Sequence, residues 1–124
     1  MNEFDFSRQR RLLTAGDYRR VFDKADFKVS DQHLLILARP AQTPHSRLGL
    51  VIAKKHVKRA VDRNRIKRTL RESFRTLEHP LQPPVDIVVL ARKGLGEMEK
   101  PLLHKLFNKQ WRRLAKKMQQ SPQK

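Results

Sequence analysis

The chain has 124 residues, enough for one compact domain and too few for two ordinary ones. It carries 29 Lys and Arg against 12 Asp and Glu, so the net charge is +17 and nucleic acid is the expected partner, ahead of an anionic membrane surface. The absence of cysteine excludes disulfides and thiolate metal sites, and no apolar run approaches the roughly 20 residues of a membrane span. Without the apolar core of a signal peptide near its start, the sequence is expected to be cytoplasmic.

The first predicted element is a short helix that runs to about Phe22. Thr14 has the character of an N-cap, with Asp17 in the position of a capping-box acid. Leu13 and Tyr18 have the spacing of a hydrophobic staple. Tyr18 and Phe22 share a face, which favours packing in the core, with base stacking on a partly exposed ring as the alternative.

Three apolar segments follow with the character of strands: His33–Arg39, Arg47–Lys54 and Val85–Arg92. A short extra strand is possible near Phe27–Ser30. The second and third main strands enclose a basic helix, an order that predicts a βαβ unit with parallel pairing.

The basic segment 54–75 is the most informative part of the chain. Ten of its 22 residues are Lys or Arg and only two are acids. At about 100° per residue, one side of the predicted helix collects Ile66, Leu70, Ser73, Phe74 and Leu77. The other side collects Asn64, Arg65, Lys67, Arg68, Arg71 and Arg75. Either the helix begins late, near Ala60, or its first turn packs on a different element.

A last helix is predicted beyond Gly94 and Gly96, with Pro101 in its first turn. Its apolar positions are Leu103, Phe107, Trp111, Leu114 and Met118. Its basic positions are Lys105, Lys109, Arg112, Arg113, Lys116 and Lys117, and whether they contact RNA is open at this stage. The element order is α-β-β-α-β-α in a single α+β domain over residues 1–124, with mobile ends at about 1–9 and 119–124.

The residues suggest no catalytic centre. Five histidines show neither metal-ligand spacing nor a partner nucleophile, and the GxG at Gly94 and Gly96 lacks the third glycine of a dinucleotide site. The sequence by itself therefore predicts a basic RNA- or DNA-binding domain with no visible catalytic centre of its own.

One run of residues resembles a known family signature. Lys54-Lys55, then Arg63-Asn64-Arg65-Ile66-Lys67-Arg68, is similar to the signature of the bacterial ribonuclease P protein subunit, and the likeness extends over about residues 8–115. The resemblance implies an α/β sandwich with a mixed sheet and a left-handed βαβ crossover, an exception to the usual hand.

It also implies the protein subunit of an endoribonuclease that removes the 5′ leader of precursor tRNA. In that family a catalytic RNA subunit with bound Mg²⁺ performs the hydrolysis, and the protein needs no self-association. The implied partners are the ribonuclease P RNA and precursor tRNA.

The resemblance assigns site residues position by position. Those matching the RNA-subunit contacts are Arg63, Asn64, Arg65, Lys67, Arg68, Arg71 and Arg75. Those matching a cleft for the single-stranded leader are Tyr18, Phe22, Ile36, Lys54, Lys55 and Lys67. Further basic contacts are Arg11, Lys58 and Arg59. Some members carry an aromatic residue in the first long strand, where this chain has only aliphatic ones, so fewer stacked bases are expected.

Two alternative functions would explain the same positive charge. A structural RNA-binding protein would not need a cleft flanked by aromatics and lysines, and a DNA-binding repressor would use the basic helix for recognition.

Overall fold

A four-stranded mixed sheet organises the chain. The computed structural model describes residue 11 and the ranges 14–77 and 81–120. The elements in chain order are α1 (Ala15–Asp23), β1 (Phe27–Ser30), β2 (Leu34–Pro40), β3 (Arg47–Val51), α2 (Ala60–Arg75), β4 (Val85–Ala91), a 3₁₀ turn (Leu95–Glu97) and α3 (Lys100–Gln120).

The strands are arranged in the order β1-β2-β4-β3. The pairs β1–β2 and β2–β4 are antiparallel, whereas β3 and β4 are parallel and are joined through α2. The predicted parallel βαβ unit is therefore confirmed, and so is the short strand at Phe27–Ser30. The hand of the crossover stays a prediction.

The two faces of the sheet are covered unequally. On one face, α2 and α3 bury a continuous core against alternate strand residues such as Ile36, Ile87 and Val89, each no more than 1% exposed. On the other face, α1 covers only a small cluster centred on Val21 and Val88. Because α1 has nine residues, part of this second face stays accessible.

Helices α2 and α3 are joined by an aromatic contact with a polar anchor. The rings of Phe74 and Trp111 meet edge to face with centroids 5.3 Å apart. The Trp111 indole donates to the Ser73 hydroxyl at 2.9 Å, which satisfies both buried polar groups. The α2 stripe that begins at Ile66 thus packs as predicted.

Several sequence expectations can be compared directly with these elements. The Thr14–Asp17 capping box is present in both directions, at 3.0 and 3.2 Å. Helix α2 begins at Ala60, so the alternative of a late start is confirmed. Leu13 of the expected staple and most of both expected mobile ends lie outside the described residues.

Candidate nucleic-acid interface

Tyr18 is held over the backbone of β3 by the absence of a side chain at Gly49. A methyl group at Gly49 would lie 2.6–2.7 Å from three atoms of the Tyr18 ring and hydroxyl, closer than packed atoms can approach. Tyr18 therefore lies directly on the strand, half-buried, at the edge of the sheet that β3 forms.

An ion-pair network fixes α1 in this position. Arg47 of β3 donates two hydrogen bonds to its cross-strand partner Asp86, at 3.0 and 2.8 Å, and approaches Asp17 of α1 at 3.6 Å. The hydrogen bonds to Asp86 raise the pKa of Arg47, the main opposing influence being its burial. Asp17 also caps α1, so a single arginine links the helix start to the sheet.

Beside Tyr18 lies a cleft of about 200 Å³ between β3, α1 and α2, called here the basic cleft. Its polar lining comes from Arg11, Tyr18, Lys67 and Arg71, and none of its described lining residues is acidic. The Nε atom of Arg11 is buried with no hydrogen-bond partner among the described residues. Burial lowers the pKa of Arg71, and the charge of Arg11 lowers it further. A site that gathers cations without counter-charges is suited to an anion such as a phosphate.

A row of aliphatic side chains continues the surface from the basic cleft across the sheet. The strand register places Val51, Leu90 and Leu35 side by side on the face that α1 shares, and all three are at least partly exposed. This apolar row begins at Val51, close to the turn that follows β3, where Lys54 and Lys55 are exposed.

Phe22 and Ile36 were both assigned to the leader cleft, and the structure separates them. Phe22 is 44% exposed on α1, one turn beyond Tyr18, so the interpretation of Phe22 as a core residue is wrong. Ile36 is 1% exposed and lies in the core beneath α2 and α3, so its assignment to the cleft is also wrong. Its neighbour Leu35 points to the accessible face instead, because successive strand residues alternate between faces.

The residues of α2 divide into two groups. Asn64 and Arg68 are exposed on the side opposite the buried stripe, and Arg75 is half-buried near the helix end. Arg63 and Arg65 are used internally. Arg63 donates to the carbonyls of Val57 and Lys58, both at 2.9 Å.

Arg65 clamps the 3₁₀ turn onto α2. Its guanidinium donates to the Gly96 carbonyl at 2.7 Å and to the Met98 carbonyl, and it approaches Asp62 at 3.3 Å. Gly96 in turn packs on Val57, where a methyl group would come within 2.9 Å. The sequence pattern missed this role, since the carbonyls that Arg65 binds are more than 30 residues away.

The remaining predicted basic contacts lie around the start of α2. Lys58 and Arg59 are exposed, with Arg59 only loosely paired to Asp62 at 3.9 Å. In the part of the chain that the structure describes, no group of three or more His, Asp or Glu side chains could hold a metal ion. No helix there is both long and apolar enough to cross a membrane.

Comparison with known proteins shows the family. The profile of the ribonuclease P family matches residues 6–115. The ribonuclease P protein component of Chromohalobacter salexigens is 53% identical over 116 residues, covering 94% of this chain and 90% of the relative. That of Pseudomonas aeruginosa PAO1 is 55% identical over 112 residues, covering 90% and 82%.

Solved structures agree. The ribonuclease P protein of Staphylococcus aureus superimposes with a TM-score of 0.72 at 26% identity, covering 86% of this chain and 93% of that one. The Thermotoga maritima protein gives a TM-score of 0.70 at 28% identity, covering 86% and 96%.

The fold and the basic cleft define a small, strongly basic α+β domain with a mixed four-stranded sheet. The chain belongs to the ribonuclease P protein family. Membership places it among the protein components of an endoribonuclease complex that acts in tRNA processing.

Proposed function

We propose that this protein binds the catalytic RNA of ribonuclease P and the single-stranded 5′ leader of precursor tRNA, and so promotes removal of the leader. The observation that carries the proposal is the basic cleft, where Arg11, Lys67 and Arg71 converge beside Tyr18 with no acidic lining residue. Phosphates suit the cations, and an aromatic ring provides a stacking surface that accepts any base.

The cleft and the apolar row together suit a single strand better than a duplex. Leu35, Val51 and Leu90 offer a partly exposed apolar floor, on which unpaired bases can lie, while cations along the β3 edge meet the backbone. These cations are Lys54 and Lys55, beyond the end of β3, and those of the basic cleft, beside β3 itself. The aliphatic floor implies apolar contact with the bases more than stacking.

The RNA subunit is proposed to bind the exposed side of α2. The side chains of Asn64 and Arg68 lie there and make no hydrogen bond or ion pair with another described residue, whereas Arg63 and Arg65 bind loop carbonyls on either side. Lys58 and Arg59 extend this surface beyond the helix start.

Catalysis is assigned to the RNA subunit, with Mg²⁺ held by RNA phosphates. Among the described residues, no three His, Asp or Glu side chains lie close enough together to hold a metal ion. The protein's part is to position the leader and to neutralise phosphates near the reacting bond, which favours docking.

A Lys67→Gln/Arg71→Gln variant tests the leader site. With the RNA subunit present, we expect weaker binding of precursor tRNA, unchanged binding of mature tRNA, and a melting temperature close to wild type. An equal loss for both tRNAs would overturn the leader assignment. Hydroxyl-radical footprinting of the RNA subunit, with and without wild-type protein, tests the other half of the proposal and excludes the DNA-binding alternative if specific protection is seen.

A further inference from the structure

Helix α3 carries a second set of aligned cations, unrelated to the basic cleft. Lys105, Lys109, Arg112 and Lys116 are all exposed and are spaced by four, three and four residues. At about 100° per residue they fall within about 60° of one another and span about 16 Å along the helix axis. They lie opposite the buried stripe of Phe107, Trp111 and Leu114, so this α3 basic row faces solvent.

No acidic partner of the row lies among the described residues. Helix α3 contains no acidic residue, and among the ion pairs of the described residues none involves these four side chains. Like charges four residues apart destabilise a helix, as at Lys105–Lys109 and Arg112–Lys116. A polyanionic partner would offset this destabilisation of the helix and so explains why the cations are aligned.

Two other cations of α3 behave differently and provide a contrast. Arg113 donates to the Ser30 carbonyl at 3.2 Å, and Lys117 donates to the Lys28 carbonyl at 2.6 Å. Both bonds brace α3 against β1, so these residues have a structural use. The α3 basic row has no such bond to the described residues.

The row also lies apart from both parts of the proposed leader site. Helix α3 packs on the main-core face of the sheet, whereas the apolar row, which includes Leu90, lies on the face that α1 covers. Helix α3 packs over β1, at one edge of the sheet, whereas the basic cleft adjoins β3 at the other edge. Three strand spacings of about 4.8 Å separate these edges. Between α2 and α3 stands Glu72, which approaches Lys100 at 3.9 Å and His104 at 3.8 Å and so interrupts the positive surface.

We infer that the α3 basic row binds the phosphate backbone of the ribonuclease P RNA subunit, at a place separate from the contact made by α2. The row contains cations but no aromatic side chain, so it is suited to binding RNA phosphates rather than to recognising bases. A leader strand would lie in the basic cleft, at the opposite sheet edge, and on the apolar row, on the opposite sheet face, so the RNA at α3 is assigned to the ribonuclease P RNA subunit. This inference rests on the proposed function.

A Lys109→Gln/Arg112→Gln variant provides the first test. Glutamine keeps helix propensity, so the fold should persist, as a melt will verify. We expect the slope of log K against log salt for RNA-subunit binding to fall by about 1.8, at about 0.9 for each lost phosphate contact. Lys24→Gln/Lys93→Gln removes the same charge from exposed sites elsewhere and should leave the slope near wild type.

The outcomes separate the two proposals. If wild-type protein fails to bind the RNA subunit, the proposed function fails. If wild type binds but the α3 variant keeps its slope, or both variants lose slope equally, only the α3 inference is overturned. A loss of binding to vesicles of anionic phospholipid, with RNA binding intact, would assign the row to a membrane and would also overturn it.

The absence of native cysteine permits a second, positional test. An iron chelate attached after Lys109→Cys should cleave the RNA subunit at defined nucleotides, different from those cleaved from Arg68→Cys on α2. Cleavage at the same nucleotides from both positions, or none from position 109, would contradict a separate contact.

Discussion

Gly49 and Tyr18 illustrate how a single atom can set the geometry of the proposed leader site. Gly49→Ala would place a methyl group 2.6–2.7 Å from the Tyr18 ring, so the ring must move. We expect a loss of about 1–3 kcal/mol in stability from this overpacking. Precursor tRNA binding should weaken more than mature tRNA binding, as measured by titration of the complex with each tRNA.

Two companion variants make this result interpretable. Gly16→Ala, whose nearest neighbour would be the Thr14 hydroxyl at 3.7 Å, should be neutral or slightly stabilising. In a Tyr18→Leu background, the stability cost of Gly49→Ala should shrink because the colliding ring is gone. A full cost in that background would show that the Tyr18 contact is not the cause.

Phe22 is predicted to contribute to leader binding but little to the stability of the fold. Since the side chain is 44% exposed, Phe22→Ala should cost less than about 1 kcal/mol of stability, whereas Phe107→Ala, at 1% exposure, should cost about 3–5 kcal/mol. If Phe22 stacks on a leader base, worth about 1–3 kcal/mol, precursor binding should weaken about tenfold while mature tRNA binding is retained. If the mutant bound precursor tRNA and mature tRNA each as tightly as the wild type does, Phe22 would not belong to the leader site.

Ile36 shows where sequence reasoning stops at this scale. Leu34, Leu35, Ile36 and Leu37 are all apolar. The alternation of polar and apolar residues that usually identifies the core face of a strand is therefore missing, and the sequence does not show whether the odd- or the even-numbered side chains face the main core. Both faces of β2 are apolar because α1 half-covers the second one. The choice between Leu35 and Ile36 is therefore fixed by the register with β4, a long-range property.

At the scale of elements, the helices were the most predictable part of the fold. The Thr14–Asp17 box and the stripe from Ile66 to Phe74 depend on neighbours within a few residues, and both are as expected. The roles of Arg63 and Arg65 depend on loop carbonyls that the pattern of α2 cannot report. Local sequence patterns thus predicted the basic helix, but they did not show which of its arginines bind loop carbonyls.

This division within α2 predicts different effects for Arg65→Ala and Arg68→Ala. Arg65 donates to the carbonyls of Gly96 and Met98, so its removal should cost about 1.5–3 kcal/mol of stability. Arg68 is exposed, so its removal should change stability by less than about 0.5 kcal/mol but lower the salt slope of RNA-subunit binding by about 0.9. Thermal melts and salt titrations of both variants provide the comparison, and a stability loss at Arg68 with none at Arg65 would contradict it.

At the scale of the whole molecule, charge and topology act together. The net charge of +17 indicated nucleic acid from composition alone. The sheet order β1-β2-β4-β3, however, decides that the basic cleft and the α3 basic row lie at opposite edges. Strand order arises from pairings between distant segments, so no local pattern could place these two surfaces relative to each other.

The assignment of catalysis to RNA leads to a prediction for the entire protein. Protein freed of RNA should not release the 5′ leader from precursor tRNA, whereas protein added to its RNA subunit at low Mg²⁺ should strongly increase cleavage. The reason is that its cations replace part of the phosphate neutralisation that Mg²⁺ otherwise supplies. Leader release on a denaturing gel measures both. The control is the reconstituted complex treated with a calcium-dependent nuclease that is then inactivated by chelation before Mg²⁺ and substrate are added. Cleavage that survives this treatment would mean that the protein itself carries the active site.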